Sequence, residues 1–260
     1  MRHSFFIKKA NLVSSFIEML IFFLAISMGF IVENYREDYL ERKNSEKLVS
    51  ALLTDLKGDL IRFEKFTENR KSLIEDIYIF IDDVEKRGLT NKNRDQHIYF
   101  AQAIFNWTYF KPNIANIEQI ISSGALRYLG NDELIYQIGI LQASNNLLND
   151  RQEREEEYFL NYLQPLMHKY FNFKWLNENY VRKWNTDVMA GKKILPFSKI
   201  ELDPTNKKDY MFWGEDENLD RKVINLFENY VFILRSSFLV VYDEYLNEIN
   251  KTIDIIESKN

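Results

Sequence analysis

The stretch at 13–32, VSSFIEMLIFFLAISMGFIV, constrains this chain more than any other. Its last part, from Met19 to Val32, carries no charge but is too short to span a bilayer alone. Extended back through Glu18, Ser15 and Ser14 to Val13, it becomes a helix of about 30 Å, the thickness of a hydrocarbon core. The sequence therefore predicts a transmembrane helix over 13–32, with one acid just inside its edge. Everything C-terminal to it must then sit on one side of a membrane.

The flanks decide how such a span is used. Arg2, Lys8 and Lys9 precede it with no acid before Glu18, as in the basic region of a signal peptide. Glu18 interrupts the apolar run, however, and the region near Gly29 has no small-x-small cleavage pattern, so a retained signal anchor is expected. Counted by Lys and Arg, the two flanks nearly tie: Arg36, Arg42, Lys43 and Lys47 stand on the far side. The short, purely basic tail favours an amino terminus in the cytoplasm and a domain outside.

Within the span, Glu18 lies about 7–8 Å from the edge by helix rise. A carboxylate at that depth must reach the headgroups, take a proton or find a partner. Ala25 and Gly29 form a small-xxx-small pair that allows two helices to approach closely. Glu18, Ala25 and Gly29 are thus the candidate membrane-helix contacts.

Beyond the membrane the chain is poor in helix breakers: Gly numbers 8 and Pro 4, none of the prolines before Pro112. With 46% hydrophobic and 15% aromatic residues, the chain has ample material for a core, and the expected fold class is all-α. The expected organisation is a short basic tail at 1–12, the span at 13–32, a helical stalk at 33–48 too charged to bury, and a helical domain at 49–260. Apolar residues recur at Val49, Leu53, Leu56, Leu60, Phe63, Ile74, Ile77, Ile81 and Val84, with lapses at Thr67 and Arg70. This near-heptad seam fits either a coiled coil or one helix of a bundle, and Leu52, Phe66 and Leu73 widen it towards a bundle.

Gly88 is expected to end this helix. Further helices are expected at 95–107, at 114–122 capped by Asn113, and from Asn131 or Asp132 onwards. The segment 150–158, DRQEREEEY, reads as a solvated helix face because Arg151 and Arg154 interleave with the acids. The aromatics Tyr170, Phe171, Phe173, Trp175, Tyr180 and Trp184 read as core, and 185–217 as the longest irregular stretch. The last helix, about 219–257, is expected to pair antiparallel with the first long helix.

Chemistry-bearing patterns are scarce. The chain has no cysteine, which removes disulfides, thiolate metal sites and cysteine nucleophiles. His3, His97 and His168 stand apart without metal-ligand spacing, and no Gly-rich phosphate loop or nucleophile elbow occurs. A net charge of −5 with dispersed basic residues gives no footprint for nucleic acid. The sequence therefore predicts no cofactor, no metal and no enzymatic activity.

The anchor and its surroundings resemble a family of uncharacterised bacterial single-span membrane proteins with a helical extramembrane domain. Ile17-Glu18 stands where such spans begin Gly-Glu, and Glu33-Asn34-Tyr35-Arg36-Glu37 stands where they leave through a pattern like Asn-Asn-Trp-Asn-Glu. Asn34 and Glu37 match, Tyr35 keeps an aromatic, and Ile17, Glu33 and Arg36 depart. The run LTDLKGDL at 53–60 resembles the Leu-Lys-x-Asp-Leu run after such anchors. ISSGALR at 121–127 and NDEL at 131–134 resemble a segment in the middle of the family. The resemblance implies an inner-membrane anchor and lends no activity.

Two function classes follow. The first is a membrane-anchored interaction or scaffold domain in the inner (cytoplasmic) membrane, facing the periplasm. Its partner would be a membrane or periplasmic protein or a second copy of the chain. The alternative is a ligand-binding sensory bundle, which would need a separate membrane partner because only about twelve residues precede the span.

Overall fold

A computed structural model describes residues 3–89, 108–176 and 218–258. The expected helix at 95–107, Tyr180, Trp184 and the stretch 185–217 lie outside the described residues. Those described form an all-α protein, with no strand among them. Helix α1 runs unbroken over His3–Arg87, α2 over Ala115–Ser122 and α3 over Asp132–Tyr158. A π turn at Phe159–Leu163 leads into α4, Gln164–Tyr170, and the short α5, Phe173–Leu176. Helix α6, Leu219–Ser237, passes through a second π turn, Phe238–Tyr242, into α7, Asp243–Glu257.

The chain makes two compact units: Met1–Asp55 with Ile114–Tyr136, and Leu56–Asn113 with Gln137–Asn260. In the first, the hydroxyl of Ser45 on α1 donates to the carbonyl of Ala125 at 3.1 Å, and Asn116 Nδ2 donates to Asp55 at 2.5 Å. Ile117, Ile120, Ala125 and Leu134 are buried in this unit together with Leu52. Gly124, at φ 74, ends α2 in the left-handed region that glycine enters without cost. Asn131 caps α3, its side-chain oxygen accepting from the Leu134 amide at 3.3 Å. Asn113 does not cap α2: the helix begins after Ile114 without a side-chain cap, and the Asn113 amide instead donates to Asp59 at 2.7 Å.

The second unit is an antiparallel bundle. Lys57 pairs with Glu257, Phe63 packs edge-on against Tyr245, Phe80 against Phe227, and the Leu89 amide donates to Asp220. Rising numbers on α1 thus meet falling numbers on α6 and α7. Leu73, Ile77, Phe80 and Val84 of α1 share the main core cluster with Tyr158, Leu163 and Met167 and with Val223, Phe227 and Leu234. Gly88 ends α1 at φ 71, and a Cβ there would stand 3.0 Å from Asp220 Oδ2. The left-handed backbone favours glycine here, and a Cβ would also press on the Asp220 side chain.

The buried seam of α1 differs in register from the expected one. Leu52, Leu56, Asp59, Phe63, Phe66, Arg70, Leu73, Ile77, Phe80 and Val84 are buried, in steps alternating strictly between four and three. Two of these ten positions are charged. The apparent lapse at Arg70 is therefore a seam position, filled by a guanidinium that has a partner inside the bundle.

Candidate functional site

The residues selected from sequence all lie on α1. Glu18, Ala25, Gly29, Asn34, Tyr35 and Glu37 are exposed, in a stretch from 15 to 40 where nearly every side chain is exposed. Helix Ser15–Arg87 holds an apolar window long enough to cross a membrane, and none of that window is buried within the fold. Phe22, Phe23 and Phe30 are 71%, 65% and 68% exposed. A helix apolar all round, with none of the described residues packed on it, is suited to lipid rather than to water. A Cβ added at Gly29 would meet nothing within 4 Å, so the fold of this chain does not require the glycine. At the exit, Arg36 donates to Glu33 at 3.0 and 2.5 Å, an exposed pair one turn apart.

A second site was not anticipated. Glu155, on the segment expected to be a solvated face, is wholly buried, as is Gln152. That expectation is corrected. Glu153, Arg154 and Glu157 do face solvent, but Gln152, Glu155 and Tyr158 follow the helix period inwards. Glu155 Oε2 lies 3.0 Å from Arg70 Nη2, the two side chains being 0% and 1% exposed. Its other oxygen accepts from Ser237 Oγ at 2.5 Å and from the Tyr242 hydroxyl at 3.0 Å. Arg70 Nη2 also donates to the carbonyl of Thr108 at 2.8 Å, and the guanidinium lies over the Phe66 ring. Arg151 extends the cluster, donating to Ser236 and Ser237 at 2.5 and 3.2 Å. Beside it, Gln152 bonds both ways with the backbone of Phe110, donating at 2.9 Å and accepting at 2.7 Å.

The second π turn explains how one carboxylate oxygen collects two hydroxyls. Ser237 and Tyr242 are five residues apart, which in an α-helix leaves them about 140° apart. A π turn closes on the fifth residue and puts both on one line. Tyr158 and Leu163, five apart across the first π turn, are likewise both buried.

Electrostatically the site is closed. Burial pushes the Glu155 carboxyl above its usual range, while the charge of Arg70, the hydroxyls of Ser237 and Tyr242 and the charge of Arg151 pull the other way. Burial first, then the nearby Glu155, raises the Tyr242 phenol, so its hydroxyl keeps the proton it donates. The Tyr230 phenol, also buried, is raised as well and faces Arg70. A carboxylate held by a guanidinium and two hydroxyls, and wholly buried, is equipped to align helices rather than to meet a substrate. Among the described residues no group of three or more His, Asp or Glu is placed to hold a metal ion. No protein-family model, curated protein or solved structure matches the chain.

The signal for this site was present in the sequence. An arginine interrupting an apolar ladder at a four-three step is a buried cation in search of an acid. Glu155 stands on the inward line of α3 with Leu134, Leu141 and Leu148, seven residues apart in turn.

Proposed function

We propose that this chain is a membrane-anchored helical interaction or scaffold protein. Residues 13–32 cross the inner (cytoplasmic) membrane once, and the helical domain stands on the periplasmic side. The observation that carries this reading is the contrast along α1: its apolar N-terminal part is exposed on all sides, while from Ser45 onwards the same helix buries one seam of its side chains. The likeness of Glu18, Asn34, Tyr35 and Glu37 to bracketing residues of single-span proteins adds support. The partner is a membrane or periplasmic protein or another copy of the chain, met partly through Glu18, Ala25 and Gly29. The alternative, a ligand-binding sensory bundle, draws less support, since the buried Glu155 is taken up by Arg70, Ser237 and Tyr242.

The test is retention in membranes washed with alkaline carbonate, followed by crosslinking in mild detergent. The chain should stay with the lipid, and Glu18→Gln should weaken the crosslinked complex. Release by carbonate would sink the anchor, and an unchanged crosslink pattern would leave Glu18 as a carboxylate reaching the headgroups.

A further inference from the structure

The stalk at 33–43 is helical and exposed, Glu41 alone being partly covered. Its charges are sorted by side. At about 100° per residue, Arg36, Arg42 and Lys43 fall with Tyr35, Tyr39 and Leu40 within an arc of about 160°. Glu33, Glu37, Asp38 and Glu41 fall within an arc of about 140° on the other side. Tyr35 and Tyr39 are 77% and 58% exposed. A solvated single helix normally mixes its charges so that i, i+4 neighbours attract. Here Glu33, Glu37 and Glu41 repel in an i, i+4, i+8 row, and Glu37, Glu41, Arg42 and Lys43 form no ion pair among the described residues.

The same two faces continue into the apolar part of α1. Ala25 and Gly29 lie on the line of Arg36 and Lys43, whereas Ile26, Phe30 and Phe23 lie on the line of Glu33, Glu37 and Glu41. The line under Arg36 and Lys43 thus carries two small residues with Glu18 below them, flanked by Ile21, Phe22, Leu24, Met28 and Val32. Over 33–43 each face is the complement of the other in charge.

We infer that the occupant of these faces is a second copy of this chain, the acidic face of one α1 seating against the basic, tyrosine-bearing face of the next. The inference rests on the anchoring proposed above, because chains held in one membrane stand parallel and at one depth. That brings the acids at 33–41 level with the cations at 36–43. A two-fold contact centred on either face would set like charge against like, so a contact of one face on the other is head-to-tail and closes into a ring or extends as an array. The sorting ends at Glu46, next to Ser45, where burial within the chain begins.

Because the chain has no cysteine, the test is clean. Differently tagged full-length chains carrying Glu37→Cys or Arg36→Cys are expressed separately and together, and their membranes are oxidised. Disulfide dimers should form between the two chains and not within either population alone. Glu33→Lys/Glu37→Lys/Glu41→Lys in a chain carrying Arg36→Cys, paired with an otherwise unchanged Glu37→Cys chain, leaves that contact intact. Arg42→Glu/Lys43→Glu added to the Arg36→Cys chain should reduce its disulfide with the Glu37→Cys chain by about fivefold. Adding Glu33→Lys/Glu41→Lys to the Glu37→Cys chain should restore that disulfide, as expected of exposed charges in register. Dimers as abundant in either single-cysteine population as in the mixture would overturn the head-to-tail contact. Carbonate-resistant chains that form no dimer in any arm would overturn the self-association while leaving the anchor standing. Chains released by carbonate would take down both.

Discussion

The two parts of α1 are one helix with two kinds of surroundings. Phe22 is 71% exposed and Phe63 is 1% exposed, although both are phenylalanines on the same continuous element. In the first part apolar side chains surround the axis; in the second they keep to a seam stepping by four and three. The difference teaches that helix burial is set by whether the apolar surface is a stripe another element can cover. Where it is a sleeve, only lipid or other spans can cover it.

The carboxylates divide in the same way. Glu18 has no partner within the described chain, whereas Glu155 has an arginine and two hydroxyls. The sharpest way to break this contrast is to remove one member of the inner pair. Arg70→Met or Glu155→Leu alone should cost about 3–5 kcal/mol, because each strands a buried charge. The double substitution should recover most of that loss. Chemical unfolding in detergent, followed by circular dichroism, measures all three. A double variant as damaged as the sum of the singles would mean that the two charges are not coupled.

Next in size is a matched pair of truncations. Phe227→Ala, in the bundle core, should cost about 3–5 kcal/mol by the same measurement. Phe22→Ala should leave the unfolding midpoint where it is. A third substitution sharpens the lipid side of the comparison: Leu24→Arg adds a membrane-insertion cost of about 3 kcal/mol. The carbonate-resistant fraction should fall while the bundle unfolds as before.

The smallest expected effect is a pH dependence. Folding raises the Glu155 carboxyl above its ordinary 4.5, chiefly by burial, so the folded chain holds that proton more tightly than the unfolded chain. Its contribution is therefore fully present below that ordinary value and is lost as pH rises through the raised one. Measured against Glu155→Gln, the wild type should lose stability as pH climbs above 4.5. Asp76, also raised by burial and by the neighbouring Glu75, is common to both chains and cancels. A wild type that gains on the Gln variant over that window would show that Arg70 outweighs burial.

Much of the fold was legible because helices write their period into the chain. The sparse glycines and prolines, the stop at Gly88, the cap at Asn131 and the apolar stripe of the last helix were all readable as local chemistry. The bundle's centre was less so. DRQEREEEY looks solvated as a composition, and only the three-dimensional meeting of α1, α3 and α6 shows that one of its four glutamates faces inwards. Asn113 is displaced from the cap for a related reason: its backbone amide donates to Asp59, 54 residues earlier, and α2 begins one residue later, after Ile114. Long-range partners of this kind leave no mark in a local window. The π turns were likewise hidden, since an unusual helix closure has no composition of its own.

The turn at Phe238–Tyr242 has a consequence for how the chain tolerates changes in length. A π turn absorbs one residue more than an α-helix would hold over the same rise. Leu239, inside it, is 79% exposed and takes no part in the core. Deleting it would bring Tyr242 to the fourth position after Ser237, where a regular helix also places both on one face. The last helix therefore contains a spot where the chain can shorten by one residue while its inner face stays in step.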